Sequence, residues 1–295
     1  MTKALAIDGG GIRGFIPALV LAEMERRTGR GIASLFDLIA GTSTGGILAC
    51  ALTMPDPLSA EEAAGFYEQD GPKIFNKRTL KAITSAGGLI DERYDTAGIA
   101  GVLRRRFGDT RLGAATTPVL VTVYDIAARE PLVLHSAADP DVTMADAAQA
   151  SSAAPTYFEP VRVGHRTLID GGMFATNPAL YAWVDNDEPP DLLLALGTGR
   201  QTRPLPFEDV RGWGKIEWGK PLVDIVSDGS ASAADAYLGK LAGDRYVRVQ
   251  TKLRHASDDL DDASRANLAA LRREAEELIA DQSALLDRVC ERLVD

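Results

Sequence analysis

The sequence predicts an α/β fold built on a parallel sheet covered by helices on both faces. Two observations carry this expectation. Short apolar runs recur, each closed by glycine or a small polar residue: ALAID, FDLIAG, PVLVTVYD, PLVLHS, RTLIDGG and DLLLALGTG. Runs this short and rich in Val, Leu and Ile read as buried strands. Helix-length segments lie between several of them, IPALVLAEMERRTG after the first and GGILACAL after the second. Strand alternating with helix places parallel strands side by side with their connections packed over the faces.

Length and composition agree with an ordinary soluble chain. Its 295 residues are 45% hydrophobic and 25% charged, enough for one large domain or two small ones. No repeat and no polar linker divides it, so residues 1–295 read as a single domain. Between Leu260 and Asp295, Leu268, Leu271, Leu278, Leu285, Val289 and Leu293 recur at helical spacing. A C-terminal helix over about 260–295, packed on the domain, is expected.

Thirty-two basic residues stand against 42 acidic ones, a formal net charge of −10. That balance argues against a broad electrostatic grip on nucleic acid or anionic lipid. The start, MTKALAIDGGG, has no signal-peptide apolar region, and no uncharged run approaches the roughly 18 to 20 residues that span a bilayer. The expectation is a cytoplasmic protein. Cys50 and Cys290 have no neighbours at metal-ligand spacing and read as reduced, buried thiols. No H-x-E, C-x-x-C or aspartate-rich calcium loop occurs, so no metal or organic cofactor is expected.

Two stretches depart from this background. From Gly71 to Ile90 four basic residues, Lys73, Lys77, Arg78 and Lys81, occur without an acid, among Ile74, Phe75, Leu80 and Ile83. RGWGKIEWGKPL carries two of the three tryptophans among glycines. Both are compositions suited to a lipid interface, and both also suit ordinary surface loops. Residues 71–90 are the stretch through which transient contact with a membrane surface, peripheral to the bilayer, is expected.

The stretch AIDGGGIRGF, Ala6 to Phe15, fits the G-x-G-x-x-G dinucleotide pattern after a strand and before a helix. The same pattern requires an acid closing the second strand, about 20 residues on, to hold a ribose. The second strand runs instead into GTSTGG. That segment, Gly41 to Gly46, contains G-x-S-x-G between a strand and a helix, the setting that exposes a serine on a sharp turn. Ser43 is the candidate nucleophile, and the amides opening the next helix favour negative charge beside it.

A serine needs a base. The order Ser43, Asp170, His255 would mimic an α/β-hydrolase triad, but only one strand precedes Ser43, where that fold places several. His135 and His165 offer no better pattern. An aspartate can serve if it lies within reach of the hydroxyl, and Asp170 in LIDGGMFATNP follows a strand and precedes two glycines. Asp-Gly-Gly is equally a common turn.

Three elements together, DGGGIRG at Asp8 to Gly14, GTSTGG at Gly41 to Gly46 and DGG at Asp170 to Gly172, resemble the patatin-like phospholipase family. The likeness extends to ASSAAPTYF, Ala150 to Phe158, to the asparagine of DGGMFATNP and to LGTG, covering roughly Lys3 to Gly199. The resemblance implies a three-layer α/β/α sandwich with a central, mostly parallel sheet and a Ser-Asp dyad without histidine. It implies Ser43 as nucleophile and Asp170 as base, with Gly41, Gly45, Gly171 and Gly172 supporting them. The loop Gly9, Gly10, Gly11, Ile12 and Arg13 matches the family's oxyanion hole, with amides around Gly10, Gly11 and Ile12 as donors. Arg13 holds the family's basic position, steadying the loop or a substrate phosphate.

The chemistry these residues could perform is consistent. Attack of Ser43 on an ester carbonyl develops an oxyanion, and each preset amide donor there is worth about 3 to 4 kcal/mol. Asp170 is a weak base at its unperturbed pKa of about 3.9, so burial must raise it or proton transfer must accompany attack. A lipid acyl hydrolase of phospholipase A type, acting on a lipid substrate without nucleic acid, is the function implied; oligomeric state stays open. The rival reading is a nucleotide-binding regulatory module that uses GGGIRG for phosphate.

Overall fold

The computed structural model describes residues 1–75, 81–84, 90–185 and 188–295. Eight strands form one sheet: β1 (Lys3–Ile7), β2 (Leu38–Thr42), β5 (Val119–Asp125), β6 (Glu130–His135), β7 (Val161–Val163), β8 (Arg166–Asp170), β9 (Leu192–Leu196) and β10 (Tyr246–Val249). Their order is β10-β9-β1-β2-β5-β8-β7, with β6 also on β5. The four pairings from β10 to β5 are parallel, and those of β5 with β6, β5 with β8 and β7 with β8 are antiparallel. A separate antiparallel pair joins β3 (Lys81–Thr84) to β4 (Ile90–Arg93). Every apolar run singled out above is a strand of the main sheet.

Leucine and alanine are modest strand formers, yet β1 and β9, KALAI and LLLAL, are central strands. Burial on both faces explains this, because what counts there is fit to the two covering layers. Alternation divides the residues between two cores. Leu5, Ile7, Ile39, Val121, Leu194 and Leu196 join the larger one, while Ala4, Ala6, Ala40, Leu120, Leu193 and Ala195 meet Ala179, Ala182 and Leu238 on the other. The small alanines let helices approach closely on that second face.

The larger core holds α1 (Phe15–Thr28), α2 (Thr44–Thr53), α3 (Ala60–Gln69), α4 (Gly71–Ile74), α5 (Thr96–Phe107) and α6 (Met144–Ser151). Following β8 come α7 (Gly172–Ala175) and α8 (Ala179–Val184), then α9 (Phe207–Val210) and the long α10 (Gly219–Leu241). Helix α1 ends where Gly29 turns left-handed at φ 65° and its amide bonds the Glu25 carbonyl. Helix α3 opens on a reciprocal capping box between Ser59 and Glu62. No described helix is long and apolar enough to cross a membrane. Cys50 and Cys290 are free and buried, and burial pushes the Cys50 thiol up to about 12.

The C-terminal expectation requires correction. The segment forms two helices, α11 (Arg265–Asp281) and α12 (Ser283–Val294), not one, and 260–264 precede them as a turn. The break falls at Gln282, at φ −107° and ψ 20°. Both helices then lie against α1, burying Leu268, Leu271, Leu278, Val289 and Leu293. Neither glycine nor proline marks that break, so periodicity alone ran through it.

Candidate active site

Ser43 occupies the turn between β2 and α2 at φ 54° and ψ −121°. A non-glycine residue held there is strained, and such strain persists only where surrounding contacts fix it. The contacts are specific. The Ser43 amide donates to Ser151 Oγ at 2.7 Å, and that hydroxyl donates onward to the Thr122 carbonyl at 2.7 Å. The turn is also tight enough that a Cβ on Gly41 would run into the Gly45 backbone, and one on Gly45 into the Ile7 carbonyl. Only hydrogen fits at either position.

Sheet register delivers Asp170 to the same place. Thr42, the last residue of β2, pairs with Thr122, while Asp170, the last residue of β8, pairs with Val123. The ends of β2 and β8 thus converge on consecutive residues of β5. The Ser43 hydroxyl lies near enough to the Asp170 carboxyl to lower its pKa, and the Gly172 amide donates to Asp170 Oδ1 at 2.7 Å. Burial pushes the Asp170 pKa up to about 7, against the opposing pull of Gly172 and Ser43. Gly171 packs against Thr122 with no room for a side chain.

The glycine loop lies opposite, and its amides divide. Gly9 donates to the Thr176 carbonyl at 2.9 Å, Ile12 to the Leu260 carbonyl at 2.9 Å and Arg13 to the Gly10 carbonyl at 3.1 Å. Gly10 and Gly11 amides have no acceptor among the described residues. The expected donor set is therefore narrowed: Ile12 is engaged by a carbonyl from near the C-terminus, and Gly10 and Gly11 are available. Gly11 sits at φ 57° beside that same Leu260 carbonyl, a conformation and a closeness that glycine alone meets without strain. Thr198 of LGTG braces the loop by donating to the Gly9 carbonyl at 2.8 Å.

These pieces line one cavity. Its apolar end is built by Ile12, Ile47, Phe66, Ile74, Phe75 and Phe158, with Phe75 edge-on to Tyr94 at 5.5 Å between ring centres. Its polar end carries Arg13, Arg200, Arg248, Gln201, Asp224 and Asp228. Ser43 and Asp170 are both buried, at 8% and 5% exposure, so the reacting groups are shielded from bulk water.

A family model named Patatin-like phospholipase matches residues 5–183. The chain belongs to the patatin-like phospholipase family. It is 31% identical over 355 residues to "Patatin-like protein 2" of Oryza sativa subsp. indica, covering 100% of this chain and 88% of that one. It is also 31% identical to "Probable inactive patatin-3-Kuras 1" of Solanum tuberosum, covering 95% of this chain and 86% of that one. Among solved structures it is similar to VipD from Legionella pneumophila, with 12% identity and a TM-score of 0.46 over 95% of this chain and 67% of that one. A relative named probable inactive means that family membership alone does not decide activity. The residues of the site must decide it.

In this patatin-like chain the histidines are elsewhere. None of the three lines the cavity. His135 accepts from the Ala137 amide at 2.8 Å, His165 is exposed between β7 and β8, and His255 lies 3.3 Å from Glu277. The His255 triad is thus excluded by geometry. Of the basic segment, Lys77 and Arg78 lie outside the described residues. Lys73 is paired with Asp70 at 2.6 Å, while Ile74 and Phe75 face the cavity and not the exterior. Trp213 and Trp218 stack edge-on at 5.1 Å.

Several contributors had no local signal. Arg248 of β10 reaches past β9 to Asp8, at the head of the glycine loop. Ser152, 7% exposed, lines the cavity with a hydroxyl that has no hydrogen-bond partner among the described residues. Tyr67 fixes Thr44 beside the nucleophile through a 2.6 Å bond. Ser151 and Ser152 belong to ASSAAPTYF, the stretch to which the family likeness extends; what no pattern could give was which groups they would meet.

Proposed function

We propose that this patatin-like protein is a lipid acyl hydrolase of phospholipase A type, cleaving fatty acyl esters through an acyl-enzyme on Ser43. The observation that carries the reading is that Ser43 and Asp170, both buried, line one cavity and lie near enough for the serine to act on the carboxyl. A carboxylate raised to about 7 is a competent base near neutral pH, where an ordinary aspartate would be too weak. The apolar end accepts the acyl chain, and removal of water there strengthens every polar interaction at the reacting carbonyl.

The steps follow from positions. Asp170 takes the Ser43 proton as Oγ attacks the ester carbonyl. The oxyanion is met by the Gly10 and Gly11 amides, already oriented and without competing acceptors. Asp170 returns the proton to the departing alcohol, then draws one from the water that attacks the acyl-enzyme. The fixed backbone of Ser43 limits the entropy lost on reaching attack geometry. The nucleotide reading is less favoured, since the glycine loop shares its cavity with Ser43 and β2 ends in Thr42 without a ribose-binding acid.

We propose further that residues 1–295 form a single domain, supported by a core that joins Leu5 to Leu293. Residues 71–90 are proposed as a transient membrane contact. Its test is flotation with phospholipid vesicles: neutral replacement of Lys73, Lys77, Arg78 and Lys81 should weaken binding, and undiminished binding removes the segment from the account. The activity itself is tested by mass spectrometry of a mixed lipid extract. Wild type should generate free fatty acid and lysophospholipid, and Ser43→Ala should generate neither. Equal product from both would refute the assignment, and a thermal shift with nucleotides but no products would favour the rival.

A further inference from the structure

Three arginines line the polar end of the cavity, and two are committed. Arg200 pairs with Asp235 at 3.0 Å and Arg248 with Asp8. Arg13 is the exception. It is 5% exposed, yet its only hydrogen bonds are long ones, to the Gly10 carbonyl at 3.4 Å and the Gly199 carbonyl at 3.5 Å, and it forms no ion pair among the described residues. A buried guanidinium left this way is costly unless a ligand completes it.

Across the cavity stands one face of α10, contributing Asp224, Ser227, Asp228 and Ser232. Asp224 and Asp228 are four residues apart and so project from the same side of the helix. Their charges act on Arg13, but neither closes onto it. Asp224 Oδ1 is buried without a hydrogen-bond partner among the described residues, while Gln201 acts on the same carboxyl. Helix α10 is held in this position by Ser230, whose hydroxyl accepts from the Thr176 amide at 3.2 Å, a few residues beyond Asp170. The cavity thus ends in a fixed cation and two fixed carboxylates that do not meet.

The family likeness already places a substrate phosphate at Arg13; resting on the lipid hydrolase reading above, we propose that α10 adds an ammonium site on Asp224 and Asp228, which makes this a headgroup subsite selective for a zwitterion. One molecule carrying a phosphate and an ammonium on a short bridge satisfies both sets of groups at once. A headgroup with phosphate but no ammonium answers Arg13 and leaves the carboxylates uncompensated.

The test is competitive hydrolysis by the full chain of phosphatidylethanolamine and phosphatidylglycerol with identical acyl chains, mixed in equal amounts in one micelle. Wild type should consume the ethanolamine lipid about tenfold faster, the scale of one charge-assisted contact. The Asp224→Asn/Asp228→Asn variant should bring that ratio close to one. A ratio near one in wild type, or an unchanged ratio in the variant, overturns the proposal. If the double variant does not fold, Asp228→Asn alone is read in the same way, because Asp228 is exposed and tolerates the change.

A second arm separates headgroup from free phosphate. Folded Ser43→Ala protein is titrated with phosphoethanolamine, sn-glycerol 3-phosphate and inorganic phosphate while melting is followed. Stabilisation by phosphoethanolamine alone supports the subsite; equal stabilisation by all three contradicts it. Absence of Ser43-dependent cleavage of any ester would instead overturn the hydrolase reading, whereas cleavage without headgroup preference overturns only this inference.

Discussion

The Arg248 guanidinium meets the Asp8 carboxylate two for two, Nη1 to Oδ1 at 2.9 Å and Nη2 to Oδ2 at 2.5 Å. Burial raises the Asp8 pKa and would lower the arginine's, while each group's charge and the hydrogen bonds between them pull the other way and hold the arginine raised. Asp8 joins β1 to the glycine loop, and Arg248 lies on a strand 240 residues later. The edge of the sheet therefore anchors the loop that carries the proposed oxyanion donors.

Removing one partner leaves the other charge buried and alone, so Arg248→Met should cost about 3 to 5 kcal/mol of stability. Urea unfolding measures it. Asp8→Asn/Arg248→Met, which removes both charges, should recover most of that loss while ester hydrolysis stays low, because the loop has lost its anchor. A loss in the double variant equal to the sum of the Asp8→Asn and Arg248→Met losses would mean the pair contributes no coupling.

Gly10 and Gly11 bear on the barrier itself. A Cβ on Gly10 would collide with the Thr198 side chain that braces the loop. Gly10→Ala should lower kcat on a short aryl ester by roughly 100-fold or more, the scale of one lost oxyanion donor, with KM little changed. A variant that melts like wild type and turns over at the wild-type rate would remove this loop from the chemistry.

Ser151 positions the nucleophile from behind. Ser151→Ala leaves the Ser43 amide without its acceptor, a penalty of about 1 to 3 kcal/mol. Since the hydroxyl also bonds the Thr122 carbonyl in the middle of β5, the loss should appear in melting temperature and in kcat together. Intact kcat beside lowered stability would confine Ser151 to a structural role.

Much of this arrangement was legible in the sequence, and the limit has a physical cause. The strands, the Ser43 turn and Asp170 are set by neighbours in the chain: apolar runs, crowded glycines and an Asp-Gly-Gly. Arg248, Ser152 and the Leu260 carbonyl that occupies the Ile12 amide act across long separations, and no spacing rule reaches them. Asp224 and Asp228 carry no motif in the sequence, and it is the position of α10 that brings them to the cavity. The missed break at Gln282 is of the same kind, since contact with α1 and not local propensity turns the chain there.

Asp170 predicts a pH dependence with a definite sign. Activity needs the carboxylate, so kcat/KM should rise with pH through about 7. Stability runs the other way. The folded state favours the protonated form, so this group's contribution is complete below its unfolded pKa of 3.8 and is lost as pH rises to about 7. Asp170→Asn should be more stable than wild type above pH 7, by about 3 to 4 kcal/mol at most, and the two should converge below about pH 4. Melting curves across that range decide it; a variant less stable than wild type at pH 8 would contradict the buried, raised carboxyl.

The central claim is that Ser43 is activated by Asp170 and by no histidine. Intact-protein mass spectrometry during reaction with a fluorophosphonate tests it most directly, run on wild type, Ser43→Ala, Asp170→Asn and His255→Ala. The account predicts a single adduct on wild type and on His255→Ala at equal rates, none on Ser43→Ala, and labelling of Asp170→Asn slowed by roughly 100-fold or more. An adduct on Ser43→Ala, or Asp170→Asn labelled as fast as wild type, would contradict it.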